Sequence, residues 1–351
     1  MREPAISFYL NDHNVAQPDR VRRAVRELAR AGFRTIISLK RETVCTNEDP
    51  AFIAACRAGC EEAAACGVQF LLDIEPCHVG PLVVREHPES AHVQLVRGAC
   101  RLRDGRFEIR LAPPLSMFGY WPSFIGVQAA FVREPGGAGR PGAPRRIAAL
   151  DYHADFLHTA YGDWYQREVE HMPYRAARGQ IVYQIEGRTE HEGELIVYAA
   201  FRIMQQADMA APEYAAELSR ILGLYRGMPA GGVVWDEPFG GTGEWGGSHK
   251  CGVAFARSFH ERTGLELLDV IWMLDEEGEP GLTARVRHDY HATLTDALFR
   301  LQGGFFREVK AAFGSDVGLG THHTWTGEGS TYDLRAGCFD YFTLTRNMGA
   351  G

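Results

Sequence analysis

Two adjacent carboxyl side chains, Asp236 and Glu237, follow directly after an apolar run that predicts a buried strand. Pro238 comes next and biases the backbone of Glu237 towards an extended conformation. Partial burial at a strand end raises the pKa of a carboxyl group, which suits a general acid. Glycoside hydrolysis uses two carboxyl groups, one to protonate the leaving oxygen and one as base or nucleophile. Glu237 is therefore the predicted acid; the alternative is that one of these carboxylates only caps the next element.

The second carboxylate has three candidates, namely Glu75, Glu244 and Glu328. Glu328 is preferred because it lies in HHTWTGEG, just after a predicted strand, where glycines allow a loop to bend over the site. A glutamate on a surface loop is the alternative interpretation of this position. The predicted catalytic pair is Glu237 and Glu328.

Polar and aromatic side chains follow nearly every predicted strand. The C-terminal strand ends of a (β/α) barrel form its active site, so these side chains are predicted to contact a carbohydrate substrate. They are Asn11, His13, Arg41, Glu75, Asp236, Trp245, His322, His323 and Trp325. Successive strand residues point to opposite faces, so we expect one histidine of the pair to face the pocket. A hydrogen-bonded structural histidine is the alternative.

A dense polar cluster occurs in the run ARVRHDYH. On a helix Arg285 shares a face with His288 and Asp289, and such a face could line the mouth of a site. Asp289 is therefore included among the predicted substrate-binding residues. Solvated helix surface is the alternative.

The first third of the chain predicts strands that alternate with helices. The strands are expected at residues 5–11, 33–39 and 68–75, and the helices at 18–31 and 49–66. Gly32 and Gly67 occupy positions typical of helix C-caps. Strands joined by helices through short connections indicate a parallel sheet.

The middle of the chain has a different pattern. Period-two stretches run from about residue 78 to residue 202, and Asp104-Gly105 is a strong hairpin-turn signal. Segments 180–186 and 194–201 predict another strand pair. This part is interpreted as a β-rich module inserted after the third strand of a barrel.

The α/β alternation then resumes. Helices are expected at 211–226, 252–263 and 283–313, and strands at 231–238, 317–323 and 339–345. The predicted fold is an α/β, TIM-type (β/α) barrel with domain ranges 1–77 and 206–351, and the module at 78–205. Eight strands need two more units than these six, so the barrel is either incomplete at its C-terminal end or smaller and irregular.

Composition limits the classes of partner. The chain has 351 residues and a formal charge of -8, with acidic and basic residues spread throughout, which argues against nucleic acid. The sequence contains no apolar run of about 18 residues, so it does not predict a membrane-spanning helix. The N-terminus lacks the layout of a signal peptide, so a cytoplasmic location is expected. The eight unevenly spaced cysteines favour free thiols.

Several enzyme classes lack their motifs in this sequence. There is no P-loop lysine motif, no GxSxG elbow and no HExxH helix. The run GTGEWG fits a dinucleotide motif by letter, but it does not lead from a strand into a helix. The predicted chemistry requires no cofactor.

One part of the chain consists of GGVVWDEP, GVAFARSFHERTG and RVRHDYHATLTDALFRLQGGFFREVK, followed by a strand that ends in His. This part resembles the barrel of glycoside hydrolase family 106 and related α-L-rhamnosidase-like proteins. The resemblance covers residues 180–330. It implies a multidomain protein with an inverting mechanism, two carboxylates and a calcium ion near the sugar. It assigns the acid to Glu237 and gives the second carboxylate no counterpart.

Three hypotheses follow. The first is a glycoside hydrolase that acts on plant or microbial polysaccharide. The second is a non-catalytic carbohydrate-binding barrel that has lost its second carboxylate. The third is a metal-dependent barrel hydrolase that uses the histidine pair, which would need a third ligand at bonding distance from the same ion.

Overall fold

The computed structural model of the chain describes residues 4–113, 122–134, 142–158, 181–236 and 248–322. Its strands are β1 (Ala5–Tyr9), β2 (Thr35–Leu39), β3 (Gln69–Asp73), β4 (Ala91–Arg101), β5 (Arg106–Leu111), β6 (Pro122–Arg133), β7 (Arg145–Ile147), β8 (Asp151–His158), β9 (Ile181–Arg188), β10 (Glu194–Ala207), β11 (Gly232–Asp236), β12 (Ser248–Lys250) and β13 (Gly318–His322). Its helices are α1 (Asp12–Val15), α2 (Pro18–Arg30), α3 (Pro50–Cys66), α4 (Pro76–Glu86), α5 (Pro212–Leu224), α6 (Val253–Thr263), α7 (Leu267–Val270), α8 (Trp272–Asp275) and α9 (Pro280–Phe313). Within these ranges, none of the helices combines the length and apolarity that a membrane span requires.

Five parallel strands form one sheet in the order β1-β2-β3-β11-β13. Most of the other strands lie between β3 and β11 in the sequence, yet β11 pairs directly with β3 and places Val234 opposite Asp73. The five strands thus follow one another in chain order. Because strand–helix–strand crossovers are right-handed, an order without reversal puts the connecting helices on one face. The predicted (β/α) barrel requires this order, and its closure stays a prediction.

A buried cluster fills the space between the parallel sheet and its helices. Phe70 and Leu72 of β3 and Val233 and Trp235 of β11 belong to it. The Trp235 ring stacks on Phe305 of α9, with ring centroids 5.6 Å apart. Trp235 therefore packs in the core, and this contact attaches α9 to β11.

Two antiparallel sheets form the β-rich part of the chain, with strand orders β12-β4-β10-β6-β7 and β5-β9-β8. Apolar side chains from both sheets, among them Val96, Ile109 and Ile185, share one buried cluster, so the sheets pack face to face. At the turn between β4 and β5, Asp104 and Gly105 have φ angles of 50° and 69°. These left-handed residues confirm the predicted hairpin turn.

A third cluster joins the β-rich part to the helices that follow. Leu95 and Tyr198 pack there with α6, α7 and α8, and with Val286 and Tyr290 in the first half of α9. The second half of α9, which contains Phe305, packs in the core of the parallel sheet. Helix α9 therefore contacts both cores and connects the β-rich part to the parallel sheet.

Helix α4 differs from the period-two pattern expected from residue 78 onward. Pro76 stands at its first turn, where a missing N–H costs nothing. Val79, Leu82 and Val83 recur at helical spacing and are buried in the core of the parallel sheet. The apolar side of this helix faces the core of the parallel sheet, so the chain enters the β-rich part only after Glu86.

Burial of His92 predicts a loss of stability in acid. Burial lowers the pKa of this β4 side chain to about 3, and the positive charge of Lys250 adds to the effect. The unfolded chain takes up the proton below about pH 6.5, whereas the folded chain does not, so the free energy of unfolding falls as the pH drops below that value. This group contributes up to about 1.4 kcal/mol per pH unit to the slope of the free energy of unfolding against pH.

Urea unfolding of His92→Gln between pH 6 and pH 4 should lack this contribution. His153→Gln, a change at a side chain that is 70% exposed, should keep the slope of the parent chain; equal slopes in both variants would contradict the assignment.

Candidate functional site

Side-chain hydrogen bonds connect the carboxyl ends of β2 and β3. Ser38 Oγ donates to the Leu71 carbonyl at 2.8 Å, and the Lys40 backbone N–H donates to Asp73 Oδ2 at 2.7 Å. Ser38, Lys40 and Asp73 are all buried. The end of β2 therefore determines the position of the carboxylate that ends β3.

Asn47 and Tyr225 support Asp73 from behind. Asn47 Nδ2 donates to the Asp73 carbonyl at 2.9 Å, and Tyr225 Oη donates to the Asn47 carbonyl at 2.8 Å. Asn47 and Tyr225 are both 0% exposed. Tyr225 lies at the C-terminal end of α5, so the helix that follows the β-rich part contributes to the position of Asp73.

The start of α4 brings three further polar side chains to the end of β3. Glu75 is the N-cap of α4, and its carbonyl accepts hydrogen bonds from the N–H groups of His78 and Val79. The Cys77 thiol donates to Glu75 Oε1. His78 Nδ1 lies 3.2 Å from Glu75 Oε1 and 3.8 Å from Asp73 Oδ1. We call the resulting group, which consists of Lys40, Arg41, Asp73, Glu75, Cys77 and His78, the strand-end cluster.

Burial controls the protonation of the strand-end cluster. It raises the pKa of Asp73 to about 6, although the hydrogen bond from Lys40 N–H and the charges of Arg41 and Lys40 lower it. Burial also lowers the pKa of Lys40, and it holds the pKa of His78 well below its ordinary value together with the nearby cations. The pKa of Cys77 is raised well above that of a free thiol by burial and by Glu75. At neutral pH His78 is therefore neutral and Cys77 is a thiol.

Two of the predicted substrate-binding residues, Arg41 and Glu75, belong to the strand-end cluster. A third, Asp236, ends β11 beside it and lies opposite His322 of β13 in the register. Val234, two residues before Asp236, lies opposite Asp73. The backbone register therefore puts the ends of β3, β11 and β13 next to one another at one edge of the sheet.

Asn11 and His13 lie beyond the end of β1 and have local partners. Asn11 Oδ1 accepts from the Asn14 N–H at 3.0 Å and so caps α1. The ring of His13 contacts the Arg20 guanidinium. Neither has a hydrogen bond to the strand-end cluster in the part of the chain that is described.

Asp289 lies in the first half of α9, and its carboxylate contacts His288 Nδ1 at 3.0 Å. Its neighbour Arg287 donates to the carbonyls of Met273 and Glu276, which attaches α9 to α8. This half of the helix packs against the β-rich part rather than against the parallel sheet. The structure thus does not bring Asp289 to the strand-end cluster.

Both predicted catalytic residues, Glu237 and Glu328, lie outside the described residues, as do Trp245, His323 and Trp325. Their roles stay predictions. The described neighbour of Glu237 is Asp236, whose backbone ends β11.

Sequence reasoning missed Asn47, Cys77 and His78 as members or supports of this site. A local signal exists for two of them, because Cys77 and His78 open a helix directly after an acidic strand end and Pro76. Asn47 gives no such signal. It acquires its role through Tyr225, which is 178 residues away in the sequence.

The strand-end cluster does not fit the calcium ion that the family resemblance implies. Calcium takes six to eight oxygen ligands. The compact group within the cluster, Glu75, Cys77 and His78, presents one carboxylate with a sulfur and a nitrogen. Calcium binding stays a prediction, and this cluster does not supply the oxygen ligands that calcium requires.

Comparisons with known proteins give distant structural similarity only. No protein-family model matches the sequence, and neither does any curated protein. Among solved structures, a rhamnosidase from Novosphingobium sp. PP1Y is similar with a TM-score of 0.48 and 12% sequence identity. The similarity covers 92% of this chain and 46% of that chain, so this chain spans about half the length of the rhamnosidase.

Proposed function

We propose that this chain is a glycoside hydrolase that cleaves a glycosidic bond in a plant or microbial polysaccharide, with Glu237 as general acid. The observation that carries the proposal is the pairing of β11 with β3, which sets Val234 opposite Asp73. Neighbouring strands lie about 4.8 Å apart. The backbone of Asp236, the residue before Glu237, therefore ends β11 beside the strand that ends in Asp73.

The chemistry requires two carboxyl groups at one site. Acidic residues end two adjacent strands at the edge where parallel α/β sheets bind their substrates. Glu328 is the proposed second carboxylate, as inferred from the sequence. The chain order of the strands supports the proposed barrel, which would hold these groups around one mouth.

Lys40 and Arg41 give this edge positive charge beside the carboxylates. Because Asp73 and Glu75 have side-chain exposures of 0% and 1%, we assign them to positioning the strand ends rather than to contact with the sugar. We further propose that the substrate sugar is rhamnose and that the mechanism is inverting. Both proposals derive from the family resemblance of residues 180–330.

The proposal is tested by measuring hydrolysis of a panel of glycosides, α-L-rhamnosides included, by the whole chain. We expect turnover of one sugar class with saturable kinetics. The panel should combine activated aryl glycosides with natural oligosaccharides, so that a weak acid catalyst is still detected. A folded chain that hydrolyses no member of the panel would contradict the proposal.

A non-catalytic carbohydrate-binding barrel is the second candidate. It is favoured by the burial of Asp73 and Glu75, which leaves them inaccessible to a sugar. Calorimetric titration with the same oligosaccharides separates the two functions, since a binding protein would give a heat of binding without release of reducing sugar.

A further inference from the structure

We propose that Asp73, Glu75, Cys77 and His78 form a closed binding site for one divalent transition-metal ion, and that zinc is the ion best suited to it. The inference goes beyond the proposed glycosidase activity and does not depend on it. It rests on the distances between these side chains, on their burial and on the hydrogen-bonding capacity that Asp73 Oδ1 and His78 Nδ1 leave unused.

The ligand atoms of three of the four residues are already close enough to share one ion, and Asp73 adjoins them through His78. Those of Glu75, Cys77 and His78 lie within 4.8 Å of one another. Zinc bonds of 2.0–2.3 Å in a tetrahedral arrangement separate the ligand atoms by roughly 3.3 to 3.8 Å. His78 Nδ1 lies 3.2 Å from Glu75 Oε1 and 3.8 Å from Asp73 Oδ1, so small side-chain rotations would bring these atoms to the distances that zinc requires.

Two of the buried atoms lack a hydrogen-bond partner. Asp73 Oδ1 and His78 Nδ1 accept or donate no hydrogen bond, although their side chains are 0% and 7% exposed. A buried polar atom without a partner costs about 1 to 3 kcal/mol, and such atoms are rare in folded proteins. These two face each other across 3.8 Å. A cation coordinated by both would satisfy them at once.

The charges and the backbone agree with a bound cation. Asp73 and Glu75 supply two carboxylates for a bound cation. Asp73 is held by the Lys40 N–H and by Asn47, and the other three side chains come from the first turn of α4 and its N-cap. Such supporting contacts orient metal ligands in known sites.

The donor set selects the type of ion. Cys77 gives up its thiol proton to solvent when the ion binds, and the resulting thiolate, together with the imidazole of His78, favours zinc and its neighbours in the transition series, whereas magnesium and calcium prefer oxygen alone. Four protein ligands without an open position are typical of a structural zinc site rather than a catalytic one. We therefore expect the ion to stabilise the junction of β2, β3 and α4.

The test is the metal content of the full chain, purified without chelator and then loaded with either Zn²⁺ or Co²⁺. We expect about one zinc per chain, a higher melting temperature with zinc than after removal of the metal, and a thiolate-to-cobalt charge-transfer band in the Co²⁺ form. Cys77→Ser should abolish this band, and His78→Gln should weaken zinc binding by roughly 100-fold or more. Cys66→Ser and His87→Gln, which change a thiol and an imidazole outside the strand-end cluster, should leave both properties unchanged.

The cobalt spectrum of the unmutated chain decides the question even if the variants do not fold. A folded chain that takes up no zinc from a micromolar solution would overturn the proposal, and so would a Co²⁺ form without a thiolate band. Survival of the band in Cys77→Ser would overturn it as well, because the sulfur ligand would then be a different cysteine. Hydrolysis of glycosides is measured separately and decides none of these outcomes.

Discussion

Replacing Glu237 by Gln is expected to reduce kcat for an unactivated glycoside by about 10² to 10⁴-fold, the usual contribution of a positioned general acid. The amide keeps the size of the side chain but cannot protonate the departing oxygen. A good leaving group needs little protonation, so hydrolysis of an activated aryl glycoside should fall much less. This dependence on the leaving group distinguishes the loss of an acid from a general loss of structure.

Glu186→Gln provides the matched control, since it makes the same chemical change on an exposed position of β9. Its kcat should equal that of the parent chain. The measurement is steady-state kinetics on a pair of substrates with the same sugar and different leaving groups. Unchanged turnover of the unactivated glycoside by Glu237→Gln would remove Glu237 from the mechanism.

The α/β part of the fold could be predicted from the sequence because its signals are local. Helix α3 ends where Gly67 was expected to cap it, and Gly67 adopts a φ of 68°, which few residues other than glycine accept. The strand predicted at residues 68–75 is observed as Gln69–Asp73. Apolar runs and glycine caps are read within about ten residues of sequence, so these elements need no knowledge of the rest of the chain.

The order of the sheet could be predicted only in part. Strand β11 follows β3 in the sheet after more than 150 intervening residues, and nothing local in either strand specifies the other as a partner. What pairs them is the shared core, in which Phe70 of β3 and Trp235 of β11 pack with α9. Long-range packing of this kind becomes evident only in three dimensions.

The candidate site, like the order of the sheet, could be predicted from the sequence only in part. Arg41 and Glu75 were identified because they follow predicted strands, a position that correlates with function in α/β proteins. The period-two pattern predicts a β-rich stretch from His78 onward, so it does not predict the contact of His78 with Glu75 through the first turn of α4. The side chains that make the strand-end cluster unusual are therefore those whose positions depend on a helix start and on distant partners such as Tyr225.

The junction of β11 with β13 leads to a second large expected effect. Gly232 begins β11 with a φ of 143°, and a Cβ atom added there would lie 1.8 Å from the carbonyl oxygen of Gly318 in β13. The two glycines lie opposite each other in the register that also pairs Asp236 with His322. We expect Gly232→Ala to lower the free energy of unfolding by roughly 3 to 5 kcal/mol, because the strands must separate or the backbone must twist.

Gly227→Ala separates this effect from backbone strain alone. Gly227 also has a positive φ, 79°, but a Cβ atom there would meet no heavy atom within 4 Å, so its replacement should cost about 1 kcal/mol. Chemical denaturation of both variants against the parent chain measures the difference. Equal stability of the two variants would mean that β13 can move away from β11 at little cost, and the alignment of Asp236 with His322 would then not be enforced by the sheet. A large difference would mean that close backbone packing at the start of the two strands sets the register that aligns their functional ends.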